Sequence, residues 1–281
     1  KGPDMFRPVI DYRALNEITI PRASPLPNMR QMLDEVDGCK YIVTLDCTSG
    51  YQQLAMTPDA MQKAAFVCEE GHFQPKRLTY GLTSGPAYYQ SVMRKVLRNC
   101  QGTHAYLDDI LIVAQDFKTL EQRLTQCFRA LNAANLKLNL SKCEFAKKET
   151  PFLGHILTPN GICPDPKKIE KVANWQYPQK PADALSFISF ANWLRDYIYN
   201  FAEYADPFYK ACAKCKSEKA SKFPFTLELD RCFKALKREL TSEPCLMHPR
   251  LNENIPMYIY TDASKEGCGA ILMQPSRDDG K

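Results

Sequence analysis

Residues 104–113 read His104-Ala-Tyr-Leu-Asp-Asp-Ile-Leu-Ile-Val113. Two apolar runs flank a pair of adjacent acids, the pattern of strand, turn and strand. Taken alone, Tyr106-Leu107-Asp108-Asp109 also fits a plain hairpin with two solvated aspartates. Turn chemistry counts against that, because tight hairpin loops favour Asn-Gly or Asp-Gly, which reach positive φ cheaply. The flanks are apolar enough for a central, buried hairpin, where like charges repel unless cations are present. Upstream, Tyr41-Ile-Val-Thr-Leu-Asp46 is β-branched and alternating, a strand that ends on a third acid before Ser49-Gly50 breaks it.

A strand-end carboxylate beside a carboxylate hairpin makes a three-acid cluster of Asp46, Asp108 and Asp109. Such a cluster can hold two Mg²⁺ ions about 3.5–4 Å apart, with Mn²⁺ as a substitute. Mg²⁺ takes oxygen ligands and shares them with substrate phosphates. One ion would lower the pKa of an attacking 3′-hydroxyl, and the other would neutralise charge on departing pyrophosphate, which is what nucleotidyl transfer needs.

Working outward, residues 7–20 read as a short apolar strand leading into a turn, and three prolines keep residues 21–27 extended. A helix is expected over 28–36, strands over 64–69 and 72–78, and a helix from Gly85-Pro86 to about Arg98. Leu120, Leu124, Cys127, Phe128 and Leu131 share one helical face, with Asp116 as its cap. Strands near 143–146 and 151–157 bracket a turn at Lys147–Thr150. From Asp165 helices dominate, over 165–174, 181–200 and 228–241, with 211–222 an exposed connection rich in Lys, Ala and Ser. A strand returns at 256–262, and no internal repeat is present.

The chain has 281 residues, 44% apolar and 25% charged, which excludes collagen-like, mucin-like and disordered classes. No apolar run approaches the ~18 residues of a membrane-spanning helix, and no signal core stands at the start. The expected compartment is therefore the cytoplasm, with nuclear passage open, and no membrane partner. Residues 116–222 hold 17 basic and 11 acidic groups, whereas 1–115 hold 12 of each. A polyanion such as nucleic acid fits that excess, although solvated lysines on helix faces produce the same numbers. Twelve scattered cysteines read as reduced core thiols rather than a disulfide framework. Cys212 and Cys215 form a C-x-x-C pair without a second pair to complete a zinc site, so two helix cysteines are the simpler reading.

Across nearly its whole length, the sequence resembles the polymerase segment of retrotransposon reverse transcriptases, above all the gypsy-like LTR class. The resemblance runs in order through Arg7-Pro-Val-Ile-Asp-Tyr-Arg-Ala-Leu-Asn16, Leu45-Asp46-Cys-Thr-Ser-Gly-Tyr51, Leu78-Thr-Tyr-Gly81-Leu-Thr-Ser-Gly-Pro86-Ala-Tyr-Tyr-Gln90, Tyr106-Leu-Asp-Asp109, Phe152-Leu-Gly-His155 and Tyr260-Thr-Asp262-Ala-Ser264. It implies an α+β right-hand polymerase: partial fingers, a palm with an antiparallel sheet and helices, and a helical thumb. A connection and a truncated ribonuclease H-like start would follow. The implied boundaries are fingers and palm over 1–160, thumb and connection over 161–254, and the ribonuclease H-like beginning over 255–281.

The resemblance also assigns roles. Asp46, Asp108 and Asp109 would be catalytic metal ligands. Arg7 would contact the nucleotide triphosphate, bidentate and always charged. Tyr51 would exclude a ribose 2′-hydroxyl. Tyr80, Gly81 and Gln90 would line the nucleotide site, although Gln90 also fits a residue that merely covers its helix. Leu153, Gly154 and His155 would form the primer grip. The implied partners are an RNA template, a DNA primer or duplex, and dNTPs, with Lys-rich helices tracking phosphates.

Cys47 stands where the family commonly has leucine, Ser84-Gly85-Pro86 replaces Asn-Ala-Pro, and Phe187-Ile188-Ser189 and Trp193-Leu194 replace familiar thumb phrases. Asp262 is the first acid of the ribonuclease H pattern, and alone it cannot hold two metals, so no ribonuclease H activity is expected from this chain. The polymerase expectation has a rival of another class: a catalytically weak, truncated relic that only binds nucleic acid or a partner protein. An RNA-copying viral polymerase would share the palm acids but not Tyr51 with its LTR-type flanks.

Overall fold

The computed structural model describes residues 9–21, 25–36, 38–159, 161–242, 246–247, 255–263 and 268–274. The chain divides into two compact units, Lys1–Thr150 and Pro151–Lys281.

In the first unit, helices α1 (Arg13–Ile18) and α2 (Met29–Asp34) precede strand β1 (Tyr41–Asp46). Helix α1 lies where the sequence reads as a turn. The Asp11 carboxylate accepts from the Arg13 backbone N–H at 3.0 Å, so a side chain starts the helix that the short apolar pattern does not announce. A 3-10 turn at Gly50–Gln53, helix α3 (Pro58–Lys63) and a short hairpin of β2 (Phe66–Cys68) and β3 (Gly71–Phe73) follow. The hairpin turns where expected, but its strands are shorter than the expected 64–69 and 72–78. Then come α4 (Gly85–Leu97), β4 (Thr103–Tyr106), β5 (Asp109–Ala114), α5 (Phe117–Ala133) and β6 (Glu144–Lys147).

Strands β4, β5, β1 and β6 form one sheet in that order, antiparallel throughout. Strand β5 is its apolar spine: Ile110, Leu111, Ile112, Val113 and Ala114 are all buried. Each fully buried Ile or Leu contributes about 1.5–3 kcal/mol. Helices α4 and α5 pack on this sheet, and Tyr89, Met93, Leu120, Cys127 and Leu131 join the sheet residues in one core. The Asp116 carboxylate accepts from the Thr119 N–H at 2.9 Å and caps α5 as expected. Phe128, placed on the core face by its spacing, is 39% exposed at the edge of that stripe.

Strand β7 (Thr150–Phe152), which starts on the last residue of the first unit, forms a second sheet with β8 (His155–Thr158), β9 (Gly161–Pro164) and β10 (Leu246–Met247) of the second unit, ordered β10-β9-β8-β7. The single strand expected over 151–157 is broken, because Leu153 and Gly154 both take positive φ, +49° and +83°. That is the turn preferred in two-residue hairpins. Helices α6 (Pro166–Ala173), α7 (Pro181–Trp193), α8 (Phe201–Ser217) and α9 (Leu227–Thr241) follow, the first two starting at the prolines that mark them. The helix expected over 181–200 ends at Trp193, and a 3-10 turn at Arg195–Tyr197 replaces its last part. Residues 211–217, expected to be an exposed connection, are the last turns of α8. Ala and Lys are good helix formers, and the buried Cys215 gives the segment an inner face. Phe187, Phe208 and Phe233 draw α7, α8 and α9 together, with ring centroids 5.8 and 4.6 Å apart. A separate hairpin of β11 (Tyr258–Ala263) and β12 (Cys268–Met273) is exposed along both strands.

Candidate active site

The register of the first sheet brings the three acids together. Asp46, the last residue of β1, is the direct partner of Asp109, the first residue of β5. Tyr106 pairs with Asp109 across a two-residue turn of Leu107 and Asp108. Within that turn only Leu107 has positive φ, +55°. This is a conformation for which glycine is the ordinary choice. The turn is tied to β1 by the Cys47 N–H, which donates to the Asp108 carbonyl at 3.1 Å. The Asp46 carbonyl accepts from the Asn139 N–H at 2.8 Å. Gln53 secures the same stretch, donating to the Thr48 and Lys137 carbonyls and accepting from the Lys137 N–H.

The electrostatics follow from crowding. Burial, with the charges of Asp108 and Asp46 behind it, raises the Asp109 carboxyl to about 6, and Lys142 opposes the shift. The Lys142 ammonium lies 3.3 and 3.2 Å from the two Asp46 oxygens. Three carboxylates at one sheet end are a donor set of oxygen alone, which suits a hard divalent cation such as Mg²⁺. Among the described residues no group of three or more His, Cys, Asp or Glu side chains is placed to hold a metal ion as it stands. Asp46 is engaged by Lys142 instead, so a cation binding here competes with that ammonium.

Beneath the acids lies a floor of tyrosines. The Tyr51 ring stacks on Tyr89 at 5.1 Å and 7°, and Tyr80 lies 5.1 Å away on a tilt. Tyr89 is fully buried, and its hydroxyl has no oxygen or nitrogen partner; the Cys47 thiol is beside it. Burial pushes that thiol up to about 11, so it is a core group rather than a nucleophile. Gly50 is required here, because a Cβ would stand 2.6 Å from the Tyr89 hydroxyl and 3.2 Å from the Asp108 Cβ. Gly81 has φ +96°, and Asn16 fixes its loop by donating to the Gly81 carbonyl at 2.7 Å and accepting from the Thr83 N–H at 2.9 Å.

The remaining expected residues are placed as follows. Gln90 is buried on α4, with its amide engaged by the hairpin backbone at Ala105 and Leu107. Arg7 lies outside the described residues. In the second unit, Leu153 and Gly154 form the β7–β8 turn, and a Cβ on Gly154 would meet the Trp193 ring at 2.7 Å. His155 is buried rather than presented, with Nδ1 2.8 Å from the Tyr197 hydroxyl. Asp262 is exposed on β11 opposite Gly269. Cys212 and Cys215 lie on α8 as free thiols.

Sequence reasoning missed Lys142, Asn16 and Tyr89. Lys142 has no local signal, since it precedes an unremarkable strand, and its partner is 96 residues away. The Ser49-Gly50 dipeptide was the available clue to Tyr89, because a glycine that merely ended a strand would not need a ring against it.

Comparison with known proteins gives a consistent result. A family model described as reverse transcriptase (RNA-dependent DNA polymerase) matches residues 1–157, and one described as an RNase H-like domain found in reverse transcriptase matches residues 225–281. The chain is 37% identical over 275 residues to the retrovirus-related Pol polyprotein from transposon 297 of Drosophila melanogaster, covering 97% of this chain and 25% of that polyprotein. It therefore spans about a quarter of that relative's length. Among solved structures, the foamy viral protease-reverse transcriptase dRH in complex with double-stranded DNA aligns with a TM-score of 0.85 at 24% identity, covering 98% of this chain and 48% of that one. The foamy viral protease-reverse transcriptase in complex with RNA/DNA hybrid aligns at 0.80 and 22% identity, covering 94% and 38%. At these identities the likeness is one of fold. Among the described residues no helix is long and apolar enough to cross a membrane.

Proposed function

The chain belongs to the reverse transcriptase family, and on that premise we propose that it extends a primer 3′ end with deoxynucleotides on an RNA or DNA template, as a module of a retrotransposon polyprotein. One observation carries the reading: Asp46, Asp108 and Asp109 converge at one sheet end, where burial, with the Asp108 and Asp46 charges behind it, raises Asp109 to about 6. We assign these three carboxylates as ligands for two Mg²⁺ ions, with Mn²⁺ as a substitute. Bound there, the ions would acidify the primer 3′-hydroxyl and neutralise charge on the departing pyrophosphate.

The chain's own residues supply position and selection. Tyr51 is backed by Tyr80 and Tyr89, so its ring cannot retreat from an added 2′-hydroxyl, which favours deoxynucleotides over ribonucleotides. Tyr80 and Gly81 line the nucleotide, on a loop that Asn16 holds. Arg7 takes the triphosphate. The Leu153-Gly154 turn supports the primer end, with His155 as its buried strut. Duplex nucleic acid, bound by solved relatives, would lie along the Lys-bearing helices of the second unit. Asp262 is the one carboxylate among the described residues 255–263 and 268–274, and we assign it no ribonuclease step.

Primer extension on a homopolymer RNA template tests the reading, comparing wild type with Asp108→Asn/Asp109→Asn in Mg²⁺ or Mn²⁺. Incorporation that depends on the cation and falls by about 10³-fold or more in the variant is expected. Incorporation that persists in the variant refutes the ligand assignment, and none by wild type, with duplex binding intact, favours a binding-only relic.

A further inference from the structure

Gln90 belongs to α4, yet both ends of its amide serve a different element. Its Nε2 donates to the Ala105 carbonyl at 2.8 Å, and its Oε1 accepts from the Leu107 N–H at 2.7 Å. The partners fix which end is which, since a carbonyl can only accept and a backbone N–H can only donate. The two bonds straddle Tyr106, so one side chain spans the end of β4 and the first residue of the turn. Gln90 is 2% exposed, which leaves no surface for a substrate to reach.

The turn needs such a clamp. Leu107 holds a φ of +55°, and a non-glycine residue keeps that conformation only where its surroundings over-determine it. Asp108 follows directly, and Asp109 resumes the pairing opposite Tyr106 and Asp46. Freeing the Leu107 N–H would strand a part-buried donor and release the peptide from which both acids hang.

We propose that Gln90 is a positioning residue: it clamps the Leu107–Asp108 turn so that Asp108 and Asp109 stand at the end of β1, and it does not touch the nucleotide. The inference rests on the reading of those acids as catalytic. Glutamine suits the task because one group must both donate and accept. Methionine has a similar reach and can do neither well.

The test uses the full chain with ¹⁵N-leucine labelling. In wild type, the Leu107 amide is expected to exchange about 10²-fold or more slowly than exposed turn amides, in line with its burial in a hydrogen bond. In Gln90→Met, exchange at Leu107 should quicken by about 10-fold or more while Leu111 is unchanged. In primer extension, kcat should fall about 10- to 100-fold with the dNTP KM within about twofold, the signature of misplaced catalytic groups rather than lost substrate binding. A raised KM with unchanged kcat and unchanged exchange would make Gln90 a nucleotide contact and overturn the proposal. Should Gln90→Met fail to fold, the wild-type rate alone decides, since a Leu107 amide exchanging like an exposed turn refutes the clamp. Should wild type incorporate nothing, the polymerase reading fails, and the exchange comparison still judges the clamp separately.

Discussion

Leu107 carries a branched side chain through the left-handed region, immediately before the two acids of the turn. Conformations of this kind cost about 1–3 kcal/mol and persist where packing holds them. Here the holders are Gln90 and the Cys47 N–H. Asp109 shows the electrostatic side of the same crowding. Its ordinary value of 3.8 is raised to about 6 in the folded chain. Between those values the unfolded chain releases the proton and the folded chain keeps it. Stability from this group therefore falls as pH rises through that window and stays lost at neutral pH without a cation. Asp109→Asn removes the penalty. Thermal unfolding in EDTA should show the variant above wild type at pH 7, with the difference gone near pH 4. A variant that melts lower than wild type at pH 7 would contradict the argument that burial and the neighbouring charges penalise the ionised Asp109.

At the scale of elements, the β7–β8 hairpin depends on a helix far along the chain. Trp193, at the end of α7, lies against Gly154 so closely that a Cβ would stand 2.7 Å from its ring. The Lys168 ammonium sits 5.4 Å from the Trp193 centroid, and the His155 ring lies 4.9 Å from it. Burial holds the His155 imidazole below its usual pKa, so it stays neutral and paired with Tyr197. Gly154→Ala meets two obstacles, the ring and a φ of +83°. It should destabilise the chain by about 1–3 kcal/mol. Trp193→Ala removes one obstacle and leaves the other. In a double-mutant cycle measured by denaturant unfolding, the pair should therefore cost less than the sum of the two singles. Strict additivity would mean that the ring does not constrain the turn.

At the scale of the whole chain, positive charge is uneven although the net is only +5. The excess of 17 basic over 11 acidic groups falls in residues 116–222, which include α6, α7 and α8. Such an excess acts on phosphates without reading bases. Affinity for duplex DNA should weaken by about 10²- to 10³-fold between 50 and 200 mM salt, equally for two unrelated sequences. Fluorescence anisotropy titrations would check this, and a flat salt dependence would remove the electrostatic account of duplex binding.

Much of the framework was legible along the chain because it rests on near neighbours. The alternation of β1, the Asp116 cap, the Leu120 to Leu131 stripe of α5 and the prolines opening α6 and α7 each depend on residues within a few turns. So do the three acids, since Asp46 and Asp109 stand at strand ends that the pattern predicts and Asp108 in the turn between β4 and β5. Other features needed the fold. Gln90 looked like a surface or substrate residue until α4 was laid against β4, because no local pattern tells a buried glutamine from an exposed one. Lys142 and Asn16 act through partners 96 and about 65 residues away. The Lys- and Ala-rich end of α8 reads as a linker by composition, and only the inner face around Cys215 makes it helix. Sequence alone determined most of the strand and helix framework, though not α1 or the end of α8, and where the acids lie along it. Tertiary structure decided which polar groups are buried against which backbone, because that depends on closing long loops whose ends carry no signal of each other.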